Sequence, residues 1–404
     1  MKKNEGKIII LENEIKNQKI KKNYRNYGID LVRIISMILI INHHIIYHGG
    51  PLTKTQRFSL EHKIFNFLNV ICVSGVNSFG LISGCVGFHS HKFSNLFYLL
   101  LTTYLYSITI SHLFKYYKPI IKGNVYNFIY TLFITDYWYF TAYFIMYFFL
   151  PLINEGIIHI RQKTMYHFTI NLFLMFSFLN EIRQYSQRFK SYDIFLLKNG
   201  FSYTWLLILY LFGGYLGRFK IDIHKKKNKY YYIKYILIII IFSIIKTKLI
   251  LYKLAKYKIK IITVNYASPL YLGIAFSIIM LFSNINIKSK ILIKLISFFA
   301  PLTYGVYLSH NHLLVRLYII QKYFLWILKY KSINIVIIEI MCSFGVFMLC
   351  CIIDFIRLCI FKFLKIKQLL VLLENKITII TDKICSKNFL LILFLFLIKL
   401  INLN

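Results

Sequence analysis

Apolar residues in this chain collect into blocks close to the length that carries a helix across a hydrocarbon core of about 30 Å. Such blocks fall at 29–47, 64–88, 96–114, 125–150, 168–180, 203–219, 233–250, 262–283, 303–328 and 333–361. One more apolar run, FLLILFLFLIKLI at 389–401, is long enough for an eleventh span or an interfacial helix. The pattern predicts an all-α fold, a polytopic transmembrane helical bundle of about ten helices. Residues 28–364 read as one membrane domain, preceded by a polar tail at 1–27 and followed by a basic segment at 365–404 that holds the extra candidate helix. No internal repeat and no Pro/Ser-rich linker divides the chain.

Composition supports a membrane as the solvent. With 58% hydrophobic residues, a mean hydropathy of +0.60 and five prolines in 404 residues, too little polar surface remains to solvate a globule. The formal charge of +36 would suit nucleic acid, but the cations sit between apolar blocks and form no basic, aromatic-interleaved domain, so no nucleic-acid partner is expected. The tail at 1–27 carries Lys2, Lys3, Lys7, Lys16, Lys19, Lys21, Lys22 and Arg25, and is too long and too mixed with Glu and Asn for a cleaved signal peptide. Basic clusters at 1–27, 218–234 and 357–387 fall on one side of a ten-span bundle, which places the amino terminus in the cytosol. Lys248, Lys253, Lys256, Lys258 and Lys260 fall on the other side and oppose that bias. The seven cysteines are scattered without CxxC spacing, which indicates neither a metal site nor a disulfide framework.

Ionisable groups inside a bilayer cost roughly 2.5–3.5 kcal/mol each at a helix centre on insertion scales, so they mark candidate chemistry. The first span, IDLVRIISMILIINHHIIYHGG, carries Asp30, Arg33, Asn42, His43, His44 and His48. At 100° per residue Arg33, His44 and His48 share one helix face, with a rise of about 16 Å between Arg33 and His44. Histidine suits proton removal from a hydroxyl because its ordinary pKa, about 6.5, lies near working pH. Arginine suits a phosphate or carboxylate. The plainer account of the same residues is that Arg33 snorkels to the headgroups while the histidines mark the opposite interface.

A second concentration, PLTYGVYLSHNHLLVRLY at 301–318, holds Tyr304, Tyr307, Ser309, His310, Asn311, His312 and Arg316. Pro301 and Gly305 predict a break near the start of that helix, and irregular backbone at membrane depth lines a cavity or is buried in protein. A third stretch, TDYWYFTAYFIMYFFLPLIN at 135–154, contains Asp136, Trp138, Tyr139, Tyr143, Tyr147, Pro151 and Asn154, although an aromatic belt explains Trp and Tyr at a span edge equally well. Glu339 and Asp354 are buried-acid candidates in the last main span.

The spacing of Asp30, Arg33 and His44, followed in order by LISG (81–84), YWYFTAY with LPLIN (137–154), LYLFGGYLG (209–217) and YGVYLSHNH (304–312), resembles the acyltransferase 3 family of integral membrane O-acyltransferases. The later blocks are most similar to the polysaccharide and exopolysaccharide O-acetyltransferases. The resemblance implies transfer of an acyl group, usually acetyl, from acyl-CoA (acetyl-CoA) as co-substrate to a hydroxyl of a sugar or glycan acceptor, with no metal and no tightly bound cofactor. It implies His44, Arg33 and Asp30 as the catalytic residues, with His44 as the base and Arg33 either helping to hold the acyl donor or fixing Asp30 in place, and Trp138, Tyr143, Tyr307, His310, Asn311 and His312 as substrate-binding residues. An oxyanion donor is expected near Tyr307, His310 or Asn311, and both direct transfer and an acyl-enzyme relay are open. Two departures stand out. Many members carry two arginines after the second span, where this chain has GFHSHKFSN with His89, His91 and Lys92, and the family's last polar block commonly has Asp or Asn after its histidine, where Asn311 follows His310 here. The rival from another class is a transporter or flippase for a lipid-linked sugar, which would show two halves of related hydropathy. The expected location is a plasma membrane or endomembrane.

Overall fold

Backbone amides inside a bilayer find no water, so a chain this apolar must satisfy them within its own helices. The computed structural model describes residues 25–89, 91–117, 137–185, 193, 195–222, 227–257, 264–331 and 333–385, and these contain helices and no strand. The tail at 1–24, the 125–136 part of the fourth span with Asp136, and the candidate helix at 389–401 lie outside the described residues.

The helices are α1 (Tyr27–Tyr47), α2 (Leu60–Gly87), α3 (Phe93–Tyr117), α4 (Trp138–Tyr147), α5 (Leu150–His159), α6 (Gln162–Leu172), α7 (Tyr203–Phe219), α8 (Lys229–Lys256), α9 (Pro269–Ser283), α10 (Lys290–Phe299), α11 (Thr303–Asn311), α12 (Ile333–Phe363) and α13 (Ile366–Cys385). Their starts follow local chemistry. Asn26, Ser59 and Ser202 each accept a backbone N–H of the first turn, from Ile29, His62 and Trp205. Six described helical stretches are long and apolar enough to cross a membrane, and the bent pair α4 and α5 makes a seventh.

The contacts sort the helix ends onto two faces. On the near face, where α1 begins, Asn26 donates to the Ser283 carbonyl, the Lys92 N–H to the Tyr147 hydroxyl, Arg218 to the Ile160 carbonyl and the Asp222 N–H to Asn284. On the far face the Lys322 N–H meets the His48 carbonyl, Tyr137 the Leu308 carbonyl, and the Tyr266 N–H the Asn199 carbonyl. By these contacts the described helices make ten runs between the faces, with α4–α5, α6 and its continuation, and α10–α11 each counted once, and six of them, or seven with α4–α5, are long and apolar enough to cross a membrane. α2 lies at the centre against α1, α7, α8 and α9. Lipid-facing Ile236, Leu237, Ile240, Ile241 and Ile244 coat α8.

The breaks have identifiable causes. α4 and α5 meet at 67°. Pro151 lacks an N–H and its ring crowds the carbonyl four residues back, that of Tyr147. The freed Tyr147 oxygen instead accepts from His91 Nε2 at 3.2 Å. α6 runs on as a π-helix over Phe173–Leu179 and then Asn180–Tyr185, so the fifth pass is longer than the 168–180 block.

The ninth pass departs most from the expected 303–328. It begins at Lys290 and ends at Asn311, with a single 3-10 turn, Ala300–Leu302, at the break foreseen from Pro301. Lys290 and Lys294 lower the hydropathy of its first half and conceal it. Residues after His312 fold over the far end of α1, where Phe324 and Leu325 press on Gly49 and Gly50. α13 also appears within the basic segment that follows α12. It lies along the near face, where the Glu374 carboxylate accepts the backbone N–H groups of Phe93 at 2.7 Å and Ser94 at 3.2 Å, at the start of α3.

Two of the sequence blocks turn out to be packing devices. Gly84 of LISG and Gly213 of LYLFGG meet where α2 crosses α7, and a Cβ on either would lie 2.0 Å from the other helix's backbone oxygen. Gly305 of YGVYLSHNH makes room for Asp354, whose carboxylate accepts from Tyr106 Oη at 2.9 Å and from Arg357 Nε at 2.9 Å and Nη2 at 2.7 Å. Arg357 Nη1 in turn donates to Tyr98 Oη at 2.7 Å. One buried ion pair therefore ties α12 to α3 and α11.

Candidate active site

The polar residues that α1 must carry through the bilayer separate into two groups along its length. At the near face Asp30, 5% exposed, accepts from Arg33 Nη1 at 3.0 Å and from Arg25 Nε at 2.6 Å. Arg33 is half-buried, and its charge also reaches Tyr143 of α4 and Cys85 of α2. The Asp30–Arg33 contact follows from their i,i+3 spacing, since both lie on one side of the first turn.

At the far half, His44 and His310 come together from α1 and α11, 266 positions apart in sequence, with ring centroids 5.1 Å apart. His48 lies 5.5 Å from His44 on the same stripe. Both His44 and His310 are buried, at 8% and 1% exposure. The Nδ1 of His310 donates to the Val306 carbonyl at 2.5 Å, which leaves its Nε2 as a bare lone pair in the neutral ring. That Nε2 and the Nδ1 of His44 are both buried without a hydrogen-bond partner among the described residues. Buried polar atoms are nearly always paired, so two orphans on adjoining rings make this the candidate site.

Neighbouring groups fix these rings. His43 Nδ1 donates to Asn69 Oδ1 of α2 at 2.6 Å, which anchors the turn of α1 that carries His44. His312 ends α11: its ψ of 136° leaves the helix, and its Nδ1 accepts the Leu314 N–H at 3.2 Å. Tyr137 bridges the two, with its ring 5.8 Å from Tyr307 and 5.9 Å from His312. Tyr307 and Asn311, one turn apart on α11, face each other.

Between the two groups runs a column of phenols. Tyr307 lies 6.2 Å from Tyr139, Tyr139 and Tyr143 lie one turn apart on α4, and Tyr143 lies 5.9 Å from Tyr147. Trp138 stands beside the column, 5.6 Å from Tyr139, and stacks on Tyr266 at 5.8 Å with Phe201 at 4.7 Å. Of the residues singled out from sequence, His44, Tyr307, His310, Asn311 and His312 thus share the far-half site, Tyr143 sits midway, Trp138 forms its aromatic flank, and Asp30 with Arg33 lie at the opposite end. His91 and Lys92 lie at the near face, His91 against the Tyr147 ring at 4.3 Å and bonded to the Tyr147 carbonyl.

Sequence reasoning missed Asn69, Tyr137 and Tyr266. Asn69 had a signal, an amide in the middle of an apolar span, whereas Tyr137 and Tyr266 are indistinguishable from belt residues until their partners are seen. Glu339 is a separate feature, fully buried on α12 near Cys72 and Cys342 with both carboxyl oxygens unpaired among the described residues.

A family model described as an acyltransferase domain, that of acyltransferase 3, matches residues 26–354, which takes in every residue of both groups except Arg25. No curated protein and no solved structure matches the chain.

Proposed function

The chain belongs to the acyltransferase 3 family and is a membrane acyltransferase, and on that premise we propose that it moves an acyl group, acetyl in the first instance, from acyl-CoA to a hydroxyl of a sugar or glycan. The observation that carries the reading is the meeting of His44 and His310 with unpartnered nitrogens inside the matched region. His44 takes the proton of the acceptor hydroxyl as its oxygen attacks the thioester carbonyl, a role worth about 10²–10⁴-fold in rate. The tetrahedral oxyanion is held by the Tyr307 hydroxyl and the Asn311 amide, donors worth roughly 10²–10³-fold each. His310 is not cast as that donor, because its Nδ1 proton is committed to the Val306 carbonyl and its Nε2 is bare. It serves as a second proton acceptor beside His44. On collapse the C–S bond breaks, and the proton gathered by the imidazoles passes to the CoA thiolate.

The near face is proposed as the cytosolic one, in a plasma membrane or endomembrane, so that acyl-CoA arrives at Arg33. Asp30 holds Arg33 by one nitrogen and leaves the rest of the guanidinium for the donor's phosphates. The pantetheine arm then runs up the tyrosine column past Tyr143 to place the thioester at His44, while Trp138 offers an apolar face to the sugar and His312 closes the end of the site. Direct transfer needs no acyl-enzyme, because donor and acceptor reach the same imidazole from opposite faces.

The test uses membranes expressing wild type, His44→Ala or Arg33→Ala with radiolabelled acetyl-CoA, following free CoA and the label in glycan and lipid fractions. Label in glycan that disappears with His44→Ala, while that variant inserts normally, is the expected result. Equal transfer by wild type and His44→Ala overturns the assignment of the base.

A further inference from the structure

Beyond the helix break at His312 the chain forms a π-helix, Arg316–Ile320, at the far face. Single-turn π segments frequently occur at functional sites. Leu317, Tyr318 and Ile319 are exposed along it, which places the segment against lipid. It is tied to α1 through the Lys322 N–H, which meets the His48 carbonyl at 3.4 Å, and to α11 through the Arg316 N–H, which donates to the His312 carbonyl at 2.9 Å. The end of α1 and residues 312–322 therefore form one rim around the His44–His310 pair.

Arg316 is the cation of that rim. It is half-buried, and its electrostatic neighbours are His44, His48 and Tyr307, two imidazoles and a phenol. Several other buried or half-buried cations of the bundle are held by partners of their own: Arg33 by Asp30, Lys246 by Glu181, Arg357 by Asp354 and Arg218 by the Ile160 carbonyl. Among the described residues Arg316 has no carboxylate partner. A guanidinium cannot shed its charge, and cations held in a membrane pair with acids, with backbone carbonyls or with a ligand. A guanidinium on the rim of this site is suited to an anionic oxygen group.

We propose that Arg316 is an anion-binding residue of the acceptor site, and that the acceptor carries a phosphate or carboxylate next to the hydroxyl that receives the acyl group. This rests on the acyl-transfer reading for its placement but not for its test. The two sources of the anion differ in shape: a phosphate belongs to a sugar phosphate or a lipid-linked glycan, a carboxylate to an acidic sugar. The histidines around it then meet an anion only when acceptor is present, which ties recognition of the correct glycan to the moment His44 is needed as a base.

The experiment measures equilibrium binding of three probes, glucose 1-phosphate, methyl glucuronide and methyl glucoside, to the purified full-length protein in micelles at low ionic strength, with acetyl-CoA as a fourth. Wild type is expected to bind one of the two anionic probes at least about tenfold more tightly than methyl glucoside, and which one identifies the anion. Arg316→Gln should lose roughly 10- to 100-fold for that probe and leave methyl glucoside and acetyl-CoA unchanged, while Arg316→Lys, which keeps the charge, retains part of the binding. The inference is overturned by equal affinities in wild type and Arg316→Gln, by a wild type that does not prefer an anion, or by a loss confined to acetyl-CoA. Because binding needs no chemistry, Arg316-dependent anion binding in a protein that transfers no acetyl would count against the acyl-transfer reading alone.

Discussion

Replacing Gly305 by alanine adds one methyl group, and its position makes that methyl expensive. A Cβ there would lie 1.8 Å from Asp354 Oδ1 and 1.9 Å from Cγ, so the carboxylate has to move. In moving it gives up the bonds from Tyr106 and both bonds from Arg357, and leaves two charges in the bilayer without their partner. Breaking a buried ion pair in this way costs about 3–5 kcal/mol. At about 2 °C per kcal/mol for a large chain, the midpoint of thermal unfolding in detergent micelles falls by about 6–10 °C. Gly345→Ala is the matched control: nothing lies within 4 Å of its Cβ, and it faces lipid on α12. There the same methyl leaves stability unchanged or raises it by up to about 1 kcal/mol, because glycine is a poor helix former. In an Asp354→Gly background, which also removes the Asp354 Cβ at 2.6 Å, the clash is gone, and Gly305→Ala should cost less than about 1 kcal/mol. Equal midpoints for the two glycine variants, or an undiminished cost of Gly305→Ala without Asp354, would refute the reasoning.

Three further outcomes are expected. Asn69→Leu removes the acceptor for His43 and frees the turn that carries His44, so steady-state kinetics should show kcat down roughly 5- to 100-fold with acceptor KM little changed. Arg33→Gln should raise the acetyl-CoA KM by roughly 10- to 100-fold and spare the acceptor KM, whereas the opposite split would place the donor elsewhere. For Glu374, burial pushes the carboxyl up, but bonds from Ser94 and Phe93 and the charge of Lys92 outweigh that and hold it below the ordinary 4.5. A lowered folded value means that its stabilisation is present above the unfolded value and is lost as pH falls through the folded one. Hydrogen exchange at 93–95 and in α13 should therefore accelerate in wild type as pH falls below the ordinary carboxylate value, and Glu374→Gln should exchange fast at every pH.

The membrane bundle was legible because length and apolarity alone specify a span, and among the described residues six helices, or seven with α4–α5, meet that test. Where the reading slipped, amphipathic character was the reason. Lys290 and Lys294 hid the first half of the ninth pass, and in α13 Lys367, Glu374 and Lys376 interleave with Leu369, Leu372 and Leu373, a pattern that suits an interface rather than a span. The near-face pair was local and readable, since Asp30 and Arg33 lie three residues apart on one helix. The far-half site was not readable from spacing, because the approach of His44 to His310 depends on how α1 packs against α11. Resemblance supplied both residues, and the structure supplied their separation. It also divided the family-like blocks by role: the glycines of LISG and LYLFGG close a helix crossing, while YGVYLSHNH combines a glycine that admits Asp354 with the histidines of the site.

The central claim is that His44 removes the acceptor's proton, and the most direct measurement is the single-turnover rate of acetyl transfer by purified wild type and His44→Gln in liposomes, with both proteins shown to unfold at the same temperature. The account predicts a loss of about 10²–10⁴-fold for His44→Gln, with acetyl-CoA binding retained. A variant that transfers acetyl within a few-fold of wild type would contradict it.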